Sequence, residues 1–304
     1  MEKVLAGCVT VGIQLILVLS INIVSGYARQ LVLGQAAFAA LGAYTSALLS
    51  LRLGWSFWIA CPSSLLVAGS VGFLLGLPCL RLPKYYLPVM TLVVNALVQH
   101  LLRNGRFAGG YFGLGHIAAP QFFHMVLESA TYLPLVLVAL GGCVMADRWF
   151  WHSRFGQALR LVPTGGAPTR SPEATQAIVV AFVISTMMAG LAGSLFAHFE
   201  AFISPFDFGL ETSLFLLAMA VCGGLGSPVG AVVGALLLGG LVESIRSLVV
   251  SRLLLSGVIF LLVGLWFPGG LLGVGRLLGC MVHSRSPGRS PECSLSSDGV
   301  PRHS

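Results

Sequence analysis

The chain has 304 residues, of which 56% are hydrophobic and only 9% charged, and its mean hydropathy is +0.92. A water-facing surface needs far more Lys, Arg, Asp and Glu than this, so a soluble globular protein is excluded and an all-α polytopic membrane protein is expected. The net charge of +7 does not point to nucleic acid, because the basic residues are scattered between apolar runs and form no patch interleaved with aromatics.

Apolar runs without a single Lys, Arg, Asp or Glu cover residues 4–24, 31–51, 55–80, 85–102, 131–146, 177–197, 213–242 and 253–267. About 20 residues of helix cross a bilayer, and in hydrocarbon every backbone N–H and C=O must be paired within the segment, so each run is expected to be helical. The first run is longer than the apolar core of a signal peptide and a second follows at once, so an uncleaved first helix is expected. The run 213–242 is too long for one span and contains Gly223-Gly224-Leu225-Gly226-Ser227-Pro228, which divides it into two shorter helices. The whole chain then holds about eight to ten helices. Gly226, Gly230 and Gly234 recur at every fourth position, as do Gly72 with Gly76 and Ala189 with Gly193. That spacing places each set on one helical face and lets a neighbouring backbone approach closely.

Loop charges set the orientation. Residues 147–176 carry Arg148, Arg154, Arg160 and Arg170, whereas 198–212 carry acids and no base, so the first loop is cytoplasmic. Alternation then places the 81–84 turn, the 223–228 break and the tail inside. The side of the N-terminus depends on whether residues 26–34 form a simple turn or a re-entrant piece. Residues 1–281 form the transmembrane domain, with a cytoplasmic coupling loop at about 147–176. Residues 282–304, rich in Ser, Pro, Gly and Arg, are expected to be a disordered cytoplasmic tail.

The absence of ionisable residues from the apolar runs argues against a proton relay and for energy supplied by another subunit. The seven cysteines stand singly, and His100, His116 and His124 have irregular spacing without a neighbouring carboxylate or cysteine, so no metal site is expected. An intramembrane serine hydrolase built on Ser227 would need a base in hydrogen-bond reach, yet only His283 and His303 follow it and His198 falls by an outer loop. The polar residues Asn22, Gln35, Thr91, Asn95 and Gln99 inside the runs either line an aqueous path or hydrogen-bond between helices.

Particular segments resemble a known family. Ser25-Gly26-Tyr27-Ala28-Arg29-Gln30-Leu31-Val32-Leu33-Gly34-Gln35-Ala36-Ala37-Phe38 followed by Leu41-Gly42-Ala43-Tyr44 is similar to the opening signature of ABC permeases for branched-chain amino acids, the LivH/LivM family. Arg81-Leu82-Pro83-Lys84-Tyr85-Tyr86 with Thr91-Leu92, Ala108-Gly109-Gly110 and Arg154-Phe155-Gly156-Gln157-Ala158-Leu159-Arg160 resemble later motifs of that family. So do Ala189-Gly190-Leu191-Ala192-Gly193, Ile203-Ser204-Pro205 and Gly223-Gly224-Leu225-Gly226-Ser227. The closing Phe267-Pro268-Gly269-Gly270-Leu271-Leu272-Gly273 favours the LivM-type branch.

The resemblance implies a type II importer-like transmembrane domain in the bacterial inner membrane. It also implies a LivH-type sister permease, two cytoplasmic ATPases that use ATP and Mg, and a periplasmic solute-binding protein, with no cofactor on this chain. Arg154, Phe155, Gly156, Leu159, Arg160 and Glu173 would then contact an ATPase, and Asn22, Gln35, Tyr86, Thr91 and Asn95 would line the substrate path. Two departures bear on this. Residues 161–172 carry three prolines and two glycines, where the family has a charged, alanine-rich helix, so a non-transporting scaffold is a second expectation. Pro83-Lys84 replaces the family's Gly-Asp, which leaves urea, short amides or another small amino acid-like solute as alternative substrates.

Overall fold

The computed structural model describes residues 2–28, 30–79, 86–122, 125–126, 129–160 and 172–245. The expected span 253–267, the 81–84 turn, most of the proline-rich stretch and the tail lie outside the described residues.

Helix α1 (Glu2–Ile21) runs without a break into one π turn, Asn22–Tyr27. The chain then doubles back, and α2 (Gln35–Leu53) starts beside the last turn of α1, where Gln35 Nε2 donates to Ser20 Oγ at 2.7 Å. Residues 30–34 therefore lead from the π turn back into the bundle and are not a simple turn. Helix α2 stops at Gly54, whose φ of 64° is the left-handed conformation that closes helices. Helices α3 (Phe57–Cys79) and α4 (Leu87–Asn104) follow. A connection from Gly105 onward holds β1 (Leu114–Gly115), β2 (Gln121–Phe122) and β3 (Met125–Val126). Strand β1 pairs antiparallel with β4 (Phe202–Ile203), and β2 with β3. The β1–β4 ladder caps one end of an otherwise helical bundle.

Helix α5 (Ser129–His152) leads into the short α6 (Arg154–Arg160), and α7 (Pro172–Glu200) begins on a proline, where the missing N–H is no loss. Helices α8 (Leu210–Gly223) and α9 (Pro228–Ile245) flank the expected glycine–proline break. Five of the helices, α1, α2, α3, α5 and α7, are long and apolar enough to cross a membrane.

Helix α7 is the centre of the bundle, touching α1, α2, α3, α5 and α6. Small residues let it approach that closely. A Cβ on Gly42 of α2 would enter the backbone of Gly190, one on Gly193 would strike the Ala39 carbonyl, and one on Gly72 of α3 would strike Thr186. Tyr132 of α5 donates to the Leu195 carbonyl at 2.8 Å.

Two sequence expectations change. Helix α5 does not stop at Ala146. It continues through Asp147 and Arg148 to His152, so the apolar crossing helix Thr131–His152 does contain ionisable residues. The reason is tertiary: Asp147 is fully buried and its Oδ2 accepts the Tyr27 hydroxyl, so the side chain has a partner inside the fold. The loop expected at 147–176 is accordingly helical over 147–152, 154–160 and from 172 onward. Secondly, Gly226 does not share a helical face with Gly230 and Gly234. It precedes α9, with φ of 87°, whereas Gly230 and Gly234 do lie on α9, packed against Gly223 of α8.

The Tyr27–Asp147 contact also fixes which end of α1 is which. The π turn lies at the α6 end of the bundle, so Glu2 lies at the opposite end.

Candidate functional site

The most polar feature inside the bundle is a row on one face of α4. Thr91, Asn95, Gln99 and Arg103 are spaced four apart, which stacks them along the helix. Thr91 Oγ1 accepts the Leu33 N–H at 3.0 Å and donates to the Pro88 carbonyl. A Cβ on Gly34 would collide with the Thr91 carbonyl, so the chain just before α2 lies directly against α4. One turn on, Asn95 is 2% exposed and its Oδ1 has no hydrogen-bond partner among the described residues. Gln99 Nε2 donates to the Pro205 carbonyl at 3.2 Å and its Oε1 accepts from Arg103 at 3.1 Å. The Arg103 guanidinium sits 4.6 Å over the Phe206 ring. Tyr86, just before α4, is exposed.

The opposite face of α4 is bare. Val89, Val93, Leu97 and Leu101 repeat at the same spacing and are all more than half exposed. With its apolar side outward and its polar side inward, α4 presents a row of hydrogen-bonding groups to the interior, and only Asn95 in the middle of the row keeps an acceptor unused.

Gln35 and Asn22 are held differently. The Gln35 amide nitrogen reaches Ser20 Oγ, Ser185 Oγ and the Ser185 carbonyl, and Ser185 Oγ donates to the Ser20 carbonyl at 2.6 Å. It therefore ties α1, α2 and α7 at one buried point. Asn22 Oδ1 accepts the Gly226 N–H at 2.8 Å, joining the π turn to the break between α8 and α9.

At the far end, α6 lies against the bundle through buried Gly156 and Leu159 and half-buried Phe155, while Arg154 and Gln157 face outward. The Gly156 N–H donates to Ser153 Oγ, and a Cβ there would meet the Phe150 carbonyl. Of the residues expected to contact a partner, Gly156 and Leu159 thus fix α6 in place and Arg154 is presented. Arg160 ends α6 and Glu173 lies in the first turn of α7.

Ser227 Oγ accepts the Gly230 N–H, acting as the cap of α9. His198 is engaged elsewhere. Its Nδ1 donates to the Ala118 carbonyl at 2.7 Å, leaving Nε2 of the neutral ring to accept from Ser46 at 2.8 Å. Ser46 Oγ in turn accepts from Ser194. His198 thereby pins the ladder-bearing connection onto α2 and α7, far from Ser227.

The family model described as branched-chain amino acid transport system / permease component matches residues 4–264. The chain belongs to this permease family. The high-affinity branched-chain amino acid transport system permease protein LivM of Salmonella typhimurium is 33% identical over 297 residues, covering 87% of this chain and 68% of that protein. LivM of Escherichia coli K12 is 32% identical with the same coverage. The sister permease protein LivH of Escherichia coli K12 is 33% identical over 127 residues, 40% of this chain and 41% of that protein. No solved structure matches. The permease is thus a multi-pass membrane protein with transport rather than catalysis as its family trait.

Two features of this permease were not singled out in the sequence. Asp147 was placed in a loop, and Arg103 stood at the end of a run with nothing to connect it to Thr91. The four-residue period from Thr91 through Arg103 was present as a signal, but it becomes a row only once α4 is seen to have one covered face.

Proposed function

We propose that this permease subunit of an ABC importer carries branched-chain amino acids across the bacterial inner membrane along the inward face of α4. It would work with a LivH-type sister permease, two cytoplasmic ATPases that use ATP and Mg, and a periplasmic solute-binding protein. The observation that carries the path is the row Thr91–Asn95–Gln99, a line of hydrogen-bonding groups in an apolar bundle whose middle member has an unused buried acceptor. A buried acceptor left unpaired is costly, and a transient ammonium or amide N–H of a passing solute would relieve that cost. Tyr86 marks the α6-side mouth of the row, and Gln35 and Asn22 support it from behind by fixing α2 and the α8–α9 break.

On this reading α6 transmits nucleotide-driven closure, with Arg154 and Arg160 toward an ATPase and Glu173 in the adjoining first turn of α7. Radiolabelled leucine, valine, urea and acetamide uptake into proteoliposomes holding the complete complex tests it. ATP-dependent leucine or valine uptake that persists without a proton gradient is expected. Uptake of urea or amide alone would transfer the same path to those solutes, and complex formation with no uptake of any of the four would favour the scaffold reading that the 161–172 departure motivates.

A further inference from the structure

Asp147 is a carboxylate buried near the end of a crossing helix, and the path along α4 does not use it. Its Oδ2 accepts the Tyr27 hydroxyl at 2.9 Å. The Tyr27 ring also lies 6.3 Å from Phe150 and 4.6 Å from Trp151, ring centre to ring centre. Asp147, Phe150 and Trp151 occupy positions i, i+3 and i+4 of α5, one face. That face is followed at once by α6, which also touches the π turn. Ser153, at the α5–α6 joint, donates to the Phe150 carbonyl at 2.7 Å and accepts from Gly156. Tyr27 is therefore gripped by the same short stretch that anchors α6.

Tyr27 is also the last residue of the π turn, and the first residue of that turn, Asn22, accepts the Gly226 N–H in the α8–α9 break. Gly26 is packed so closely on Gly226 that a Cβ would strike its backbone. One turn of helix thus holds the α5–α6 joint through Tyr27 and the broken hairpin through Asn22 and Gly26. Such π turns are rare, and they have a discrete alternative. Closing the turn to α register moves the following residue by roughly 100° around the axis.

We propose that the π turn Asn22–Tyr27 is the link by which movement of α6 reaches the α8–α9 break, with Tyr27 and Asp147 as positioning residues. This rests on the importer reading, in which α6 moves with the ATPases. An apolar contact would let Tyr27 slide along α5. A hydrogen bond to a buried carboxylate fixes it, because breaking the bond leaves a buried carboxylate oxygen without its hydroxyl donor. Displacement of α5 and α6 therefore acts on Tyr27 as on a fixed lever, and Asn22 delivers it to Gly226.

Two measurements on Tyr27→Phe, Asp147→Asn and the exposed control Trp149→Phe test this. In the permease reconstituted in lipid bilayers, backbone hydrogen exchange across residues 223–230 is expected to speed up about tenfold in Tyr27→Phe, as loss of a bond that restrains a distant segment would produce. The control should not change it. Unchanged exchange in that segment overturns the link whatever the protein transports. In the full complex, both variants should keep ATP hydrolysis within about twofold while leucine uptake per ATP falls at least about tenfold. A wild-type uptake-to-ATP ratio in both variants also overturns the link. Absent ATP-driven uptake in the unmodified complex overturns the importer reading instead, and the exchange measurement then still decides the link. Tyr27→Phe removes a single oxygen, so it remains informative where Asp147→Asn fails to fold.

Discussion

Helices α4 and α7 cross the same bundle and contain polar residues at similar density, yet they are embedded in opposite ways. Between Ala177 and Phe199, α7 has no exposed residue. Its polar groups Ser185, Thr186, Ser194 and His198 all have hydrogen bonds, and its glycines admit neighbouring backbones at a distance no other residue permits. Helix α4 is bare on one face, and its covered face carries a polar row interrupted by the unused Asn95 acceptor. Paired polar groups in an apolar interior build structure, whereas an unpaired one leaves hydrogen-bonding capacity that a ligand can use. The same criterion separates Gln35 from Asn95, two amides that look alike in the sequence.

Four substitutions break or sharpen this contrast. The largest effect is expected from Gly193→Val at the α7–α2 seam. Its side chain would meet the Ala39 carbonyl, and backbone has nowhere to go, so a loss of about 3 kcal/mol or more is expected, read as collapse of the thermal transition in detergent. Next, Gln35→Leu should destabilise by about 1–3 kcal/mol, because it strips donors from the three-helix node and leaves buried hydroxyl and carbonyl groups of Ser20 and Ser185 short of partners. Its uptake should fall only as far as the folded population does. Asn95→Ala should show the reverse pattern: a thermal transition near that of the unmodified chain and an uptake rate down by about tenfold. Equal losses of stability and uptake at both amides would erase the distinction. The smallest effect belongs to Leu97→Ala on the bare face, where less than about 0.5 kcal/mol is expected in the isolated subunit. A large uptake defect there with unchanged stability would assign that face to a subunit contact instead of lipid.

The α6 end adds a third case, since Asp147 Oδ2 and Tyr27 are paired but the pair spans two elements that the importer reading requires to move. Gly26 sharpens it. Gly26→Ala would force the π turn away from Gly226, and the accompanying change should appear in exchange at 223–230 before it appears in global stability.

Much of this was already written in the chain. Hydropathy is a local property, so the apolar runs marked the helices. Gly223 through Pro228 marked the break, because glycine and proline disrupt helices wherever they stand. The ordered motifs marked the family. The tertiary structure alone decided which polar residues were spent on packing. Nothing near Gln35 in the sequence announces Ser185, 150 positions away, and nothing near Asp147 announces Tyr27, 120 positions away. An acid after an apolar run reads as the end of a span because the local rule assumes water as its only partner. Helix α5 continues because the fold supplies Tyr27 instead, and a partner that remote is visible only when the chain is folded.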